Sequence, residues 1–161
     1  MNPELPTDCL PAELVKSTGF LLARLGVTLK TETMGAFERA GYSAYQYAIL
    51  ALLDEGARTT QGAIAKTLAF DPSQLVAHLD QLEEHGLIER RRDPNDRRRQ
   101  MVSLTPAGRR QLAAFRKLVQ KIEDEFLAAL DDDDRAALHD LLLTVAAHRD
   151  GRFQLQLKPA G

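Results

Sequence analysis

Apolar residues recur at intervals of three and four along most of the chain, the spacing of one helical face, and turn to alternation between Leu87 and Leu104. Leu14, Leu21, Leu22, Leu25 and Leu29 follow Pro11 at helical spacing with no further proline before Gly41, which predicts one long first helix over 11–41. Ser43 and Gln46 then form a capping box, flanked by Tyr42 and Tyr47 at the positions of a hydrophobic staple, so a second helix starts at Ala44 and runs to Gly56. Past the link Ala57-Arg58-Thr59, Thr60 caps a brief helix carrying Ile64 and Leu68. The best-defined start comes next. Asp71 is an N-cap, Pro72 occupies the first helical position where its missing N–H costs nothing, and Phe70 with Leu75 makes a staple. Leu75, Leu79 and Leu82 form the buried stripe, and Gly86 supplies a left-handed stop that lets Leu87 pack back on Leu82.

Leu87 to Arg92 and Arg99 to Leu104 flank the turn-forming Asp93-Pro94-Asn95-Asp96, which reads as a β-hairpin. Thr105-Pro106 caps and opens a further helix whose Leu112, Phe115, Val119, Ile122 and Phe126 have the spacing of a coiled-coil seam and require a partner helix. Asp131 to Asp134 sit at the start of a last helix bearing Leu138, Leu141, Leu142 and Val145, where acids meet the positive end of the helix dipole.

Composition fits one such assembly. The 161 residues are 44% hydrophobic and 27% charged, enough for a core, too short for two enzyme domains and unlike a disordered chain. No apolar run approaches the roughly 20 residues that cross a bilayer, and the acidic start lacks the blocks of a secretory signal, so a cytoplasmic protein is expected. A lone cysteine, Cys9, excludes an internal disulfide and a structural zinc site.

Net charge is −2, which by itself argues against nucleic acid, yet the charges are segregated. Eight arginines between Glu89 and Arg110 face three acids, whereas eight acids between Lys121 and Asp140 face two bases. One surface is thereby suited to a polyanion and another turns away from it.

Two short helices joined at Ala69 to Asp71 and followed by an arginine-tipped hairpin predict a winged helix-turn-helix within a mainly α fold with a small β-wing. The helix after Pro72 is the expected reader. With Leu75, Leu79 and Leu82 inward, a turn of 100° per residue places Ser73, Gln74, Val76, Ala77 and Gln81 outward. Gln74 can offer a donor and an acceptor to an adenine edge, and Val76 or Ala77 can touch a thymine methyl. A hairpin arginine from Arg97, Arg98 and Arg99 can enter the minor groove, with Arg90, Arg91 and Arg92 as phosphate contacts.

The stretches Asp71-Pro72-Ser73 to Leu82-Glu83-Glu84-His85-Gly86-Leu87-Ile88 and Arg92-Asp93-Pro94-Asn95-Asp96-Arg97-Arg98-Arg99 to Thr105-Pro106-Ala107-Gly108 resemble the MarR family of bacterial regulators (multiple antibiotic resistance). The family's wing motif is matched by Asp96, Arg98, Leu104 and Thr105. The resemblance implies that Arg98 enters the minor groove while Asp96 orients the wing. It also implies a homodimeric repressor whose first and last helices interlock, with a pseudo-palindromic double-stranded DNA operator. A small aromatic or phenolic effector would bind near Arg24, Tyr42, Tyr45 and Tyr47 and release the DNA. The implied organisation is a disordered segment over 1–10 and a single domain over 11–149, followed by a tail over 150–161. Within the domain, dimerisation helices occupy 11–41 and 106–149 and the winged helix-turn-helix 43–105.

Other features have plainer readings. Cys9 could sense oxidants, but no nearby base is available to stabilise its thiolate. His78 stands where the family usually has leucine, and is either a packed histidine or a sensor of pH or effector. Asp131 to Asp134 with His139 are expected as a helix start and not as a metal site, because successive carboxylates diverge around a helix. Neither a nucleophile elbow, a phosphate-binding glycine loop nor HExxH is present, so no enzyme and no cofactor are expected. The alternatives are a winged-helix module that binds an acidic protein and a regulator that senses redox state through Cys9.

Overall fold

The structure, a computed structural model, describes residues 9–56, 59–93, 96 and 99–153. Most of the expected N-terminal segment and most of the tail lie outside the described residues, as do Arg97 and Arg98. The chain divides into two compact units, with the boundary between Tyr42 and Ser43.

The first unit holds two helices where the leucine spacing predicts one: α1 (Ala12–Val15) and α2 (Thr18–Arg39). The break falls at Ser17, whose extended backbone and hydroxyl, accepting from the Phe20 N–H at 3.2 Å, restart the helix. Serine competes with the helical ladder in this way because its short side chain reaches the backbone. At the other end the N–H groups of Gly41 and Tyr42 donate to the carbonyls of Glu38 and Phe37, both at 3.0 Å, which makes a Schellman stop. Leu21, Leu22 and Leu25 are exposed along α2.

The second unit begins with α3 (Ala44–Glu55), started by the predicted box: Ser43 Oγ accepts from the Gln46 N–H and Gln46 Oε1 from the Ser43 N–H. It continues with β1 (Thr59–Thr60), α4 (Gln61–Leu68), α5 (Pro72–Glu84), β2 (Ile88–Arg92), β3 (Gln100–Leu104), α6 (Pro106–Phe126) and α7 (Asp132–Arg149). The strands form an antiparallel sheet in the order β1-β3-β2, with Thr59 opposite Val102 and Arg90 also opposite Val102. Thr59 was expected in a link, and a two-residue strand carries no alternation by which to detect it. Ile49, Leu50, Leu53, Ile64, Leu75, Leu79, Leu82, Val102, Leu112 and Phe115 make the core of this unit.

Helix α6 meets the base of the hairpin at Gly108, where an added Cβ would lie 2.0 Å from the Leu87 carbonyl oxygen, so only glycine allows this approach. Thr105 ties the same joint: its hydroxyl donates to the carbonyls of Gly86 (2.7 Å) and Leu87 (3.1 Å) and accepts from the Gly108 N–H (3.0 Å). Asp54 at the end of α3 receives Arg116 (2.9 Å) and Arg109 (3.3 Å) from α6. Of the predicted α6 seam, Leu112 and Phe115 are buried and Val119, Ile122 and Phe126 half-buried. Asp131 to Asp134 open α7 as expected, and Asp131 caps it, its carboxylate accepting from the Asp134 N–H at 2.9 Å. Beyond α7, Gly151 to Phe153 make a 3-10 turn in which Arg152 donates to the Thr67 carbonyl at 3.2 Å. No described helix is long and apolar enough to cross a membrane.

Candidate nucleic-acid interface

The reader is fixed from both ends. Asp71 Oδ1 accepts from the backbone N–H groups of Ser73 (2.9 Å) and Gln74 (3.2 Å) and from the Ser73 hydroxyl. The Ser73 hydroxyl bond, followed by those two backbone bonds, holds the Asp71 carboxyl below the usual carboxylate range, so the cap is charged at neutral pH. At the far end Gly86 takes φ +67° and the Leu87 N–H returns to the Leu82 carbonyl at 2.9 Å. Between these ends Leu75, Leu79 and Leu82 are fully enclosed, while Ser73, Gln74, Val76, Ala77 and Gln81 are all exposed. The turn before the reader is tight: Ala69 adopts φ +53°, and the Phe70 N–H donates to the Ala65 carbonyl at 3.0 Å.

A polarised relay reaches one of these outward residues. The Ser43 N–H occupies Gln46 Oε1, so Gln46 must use Nε2 as the donor to Gln81 Oε1, at 2.9 Å. Gln81 is exposed, and with its amide oxygen engaged it keeps its amide N–H groups for another partner. It therefore presents donors, which suit a phosphate oxygen or an acceptor on a base edge. Gln46, buried in the first turn of α3, has only a capping role in the sequence.

The wing alternates as a strand should. Ile88, Arg90 and Arg92 share one face and Glu89 and Arg91 the other. Arg91 is exposed and pairs with Glu89 at 2.9 Å. Arg92 and Arg99 line an open cleft of about 960 Å³ together with Thr60, Gln61, Pro72 and Gln100, at the side where the wing meets the helix-turn-helix. Arg99 pairs with Asp96 at 3.3 Å, and the Asp93 N–H closes the hairpin on the Arg99 carbonyl at 2.9 Å. Arg90 is engaged differently: its guanidinium meets Glu83 (2.5 Å) and Asp80 (2.7 Å) of α5. The sequence groups Arg90 with Arg91 and Arg92 as a phosphate contact, and the two carboxylates that receive it are reached only through tertiary packing.

Residues 43–99 match the sequence model of the MarR family. The chain is 33% identical over 145 residues to a putative transcriptional regulatory protein for the hcr operon of Thauera aromatica, covering 85% of this chain and 86% of that protein. The chain belongs to the MarR family. In structure, the transcriptional repressor CouR bound to a 23-mer DNA duplex matches with a TM-score of 0.75 at 34% identity, over 87% of this chain and 99% of that one. CouR from Rhodococcus jostii RHA1 bound to p-coumaroyl-CoA matches with a TM-score of 0.67 at 31% identity, over 84% and 96% of the two chains. This MarR-family chain is a transcriptional regulator built on a winged helix.

The residues suggested for an effector are spread over both units. Arg24 is exposed on α2 and Tyr42 is half-buried at the end of the first unit. Tyr45 and Tyr47 are used in packing the second. The Tyr45 ring stands edge-on to Phe70 at 5.1 Å and stacks on His78 at 5.4 Å, and Tyr47 stands edge-on to Phe115 at 6.2 Å. His78 packs as a half-buried ring whose Nδ1 is buried without a hydrogen-bond partner among the described residues, and burial lowers its pKa. Cys9 is an exposed free thiol.

Proposed function

We propose that two copies of this chain form a cytoplasmic repressor that seats α5 of each copy in successive major grooves of a pseudo-palindromic operator. Half-sites stand about one helical turn, roughly 34 Å, apart. The carrying observation is the outward arc of α5, from Ser73 to Gln81, capped, stopped and exposed beside an arginine-bearing hairpin. The fit to CouR on a DNA duplex supports the same use of this surface.

In this reading Gln74 reads a base edge, Gln81 donates to an acceptor, and Val76 and Ala77 touch thymine methyls. Arg98, flanked by Arg97 and Arg99 and oriented through Asp96, enters the minor groove, while Arg91 and Arg92 bind phosphates. The helices within 11–41 and 106–149 join the two copies, and 43–105 reads. The effector is an aromatic or phenolic acid or its thioester, a class suggested by the p-coumaroyl-CoA held by CouR. Arg24, Tyr42, Tyr45 and Tyr47 are its expected contacts.

Selection of bound duplexes from a random pool, with and without p-coumarate and its CoA thioester, tests the reading. A symmetric site should emerge, log affinity should fall with log salt by about 0.9 per neutralised phosphate, and one of the two ligands should release the DNA. Gln74→Ala should relax preference at one position per half-site by roughly 1–3 kcal/mol, and Arg98→Ala should weaken specific binding without unfolding the protein. A shallow salt slope without sequence preference would overturn the proposal in favour of a module for acidic proteins.

A further inference from the structure

Among the described wing arginines, Arg90 is the least exposed, its side chain at 18%, and its charge is already spent within the chain. Glu83 holds it twice over. Oε1 accepts the Arg90 backbone N–H at 3.1 Å, and Oε2 accepts Nε at 2.9 Å and Nη2 at 2.5 Å. Asp80, one turn earlier on the same helix, takes Nη2 at 2.7 Å. The planar fork of a guanidinium meets a carboxylate in this two-point way with a fixed direction, so the contact sets an angle as well as a distance.

We infer that Arg90 is a positioning residue: clamped by Glu83 and Asp80, it locks the wing to the reader helix so that one DNA site meets both, and it is not a phosphate contact. The inference rests on the DNA-reading function proposed above. Three observations carry it. The clamp joins the middle of β2 to the last turns of α5, the two elements whose relative angle decides whether a base edge and the flanking minor groove are reached together. Arg90 stands opposite the fully buried Val102, so its stem leaves the strand on the core side, away from the face that carries Arg91. The guanidinium also neutralises carboxylates on α5 that would otherwise repel the phosphates beside the groove. In keeping with this, the Arg90 hydrogen bond holds Glu83 below the usual carboxylate range.

The alternatives separate cleanly in a four-way comparison of wild type, Arg90→Met, Glu83→Met and the double variant, each measured on the selected operator across a salt series. Positioning predicts that Glu83→Met and Arg90→Met each lose affinity roughly tenfold, that the double variant loses little more than either, and that the salt slope stays at the wild-type value. A direct phosphate contact predicts that Arg90→Met lowers the slope by about 0.9 while Glu83→Met binds as tightly as wild type or more tightly, and that result would overturn the inference.

Footprinting distinguishes positioning from a purely structural role. If Arg90 aims the wing, protection of the flanking minor groove should fade while base preference in the half-site is kept. Loss of both together, in step with a lowered melting temperature, would also overturn the inference. Should wild type bind no duplex at low salt, the DNA-reading function itself fails. Wild-type binding with an indifferent Glu83→Met refutes only the clamp.

Discussion

Leu75, Leu79 and Leu82 of α5 and Leu141, Leu142 and Val145 of α7 each lie along one helical face, yet the first set is wholly enclosed and the second is 68, 41 and 55% exposed. The two helices are equally well begun, each by an aspartate that caps its first turn. What differs is the partner. The α5 stripe closes on α3, α4 and the hairpin of its own unit, whereas the α7 stripe remains uncovered. Burying a leucine is worth about 1.5–3 kcal/mol, so an open row of such residues is a large fraction of the 5–15 kcal/mol that holds a typical domain together. In the function proposed above, reading and pairing are thereby divided between a surface complete in one copy and a surface that a second copy would complete.

The largest effect should come from the open side. Leu141→Asp combined with Leu25→Asp puts charge into both exposed rows; it should shift the protein to a monomer in analytical ultracentrifugation and weaken operator binding by about 100-fold or more, since avidity between half-sites is lost. The winged unit should keep its helical circular dichroism, whereas Leu79→Ala on the closed side should cost about 2–5 kcal/mol of unfolding free energy. A dimer that survives both aspartates would dissolve the comparison. A smaller effect is expected at the joint of the closed side: Gly108→Ala drives a methyl into the Leu87 carbonyl and should destabilise by about 3 kcal/mol in urea titration, with oligomeric state unchanged.

The smallest effect should be a gain. His78 carries a buried Nδ1 without a partner among the described residues, so His78→Leu should stabilise the closed side by about 1 kcal/mol near neutral pH. Its pH dependence has a definite sign. Burial depresses the folded pKa below the unfolded value, so the unfolded chain binds more protons; stability holds above pH about 6.5 and declines as pH falls through the folded value. Thermal melts of the leucine variant should lose that part of the acid-side decline, and an unaltered decline would place its origin elsewhere.

Elements whose signal is local were legible in the sequence. Ser43 with Gln46, Asp71-Pro72, Gly86, Thr105-Pro106 and Asp131 each act within four residues, and the structure uses all of them as caps or stops. The outward arc of α5 followed from helical geometry alone. The restart at Ser17 escaped because leucine spacing continues across it, and β1 because a strand of two residues exists only through its pairing with β3. Chemistry shared between distant segments was likewise out of reach. Arg90 looked like its neighbours until Asp80 and Glu83 came beside it, and Gln46 and Gln81, thirty-five positions apart, gave no hint of a bond.

Thr105 has a mechanical consequence. One hydroxyl pins the stop of α5, the base of the hairpin and the first turn of α6, and Gly108 leaves no slack between them. The 21 residues of α6 extend about 31 Å from that pin. If the joint is stiff, a sideways shift of about 2 Å at the distal end of this arm swings the reader through about 4°. A modest disturbance far from the duplex would then reach the groove as a change of aim.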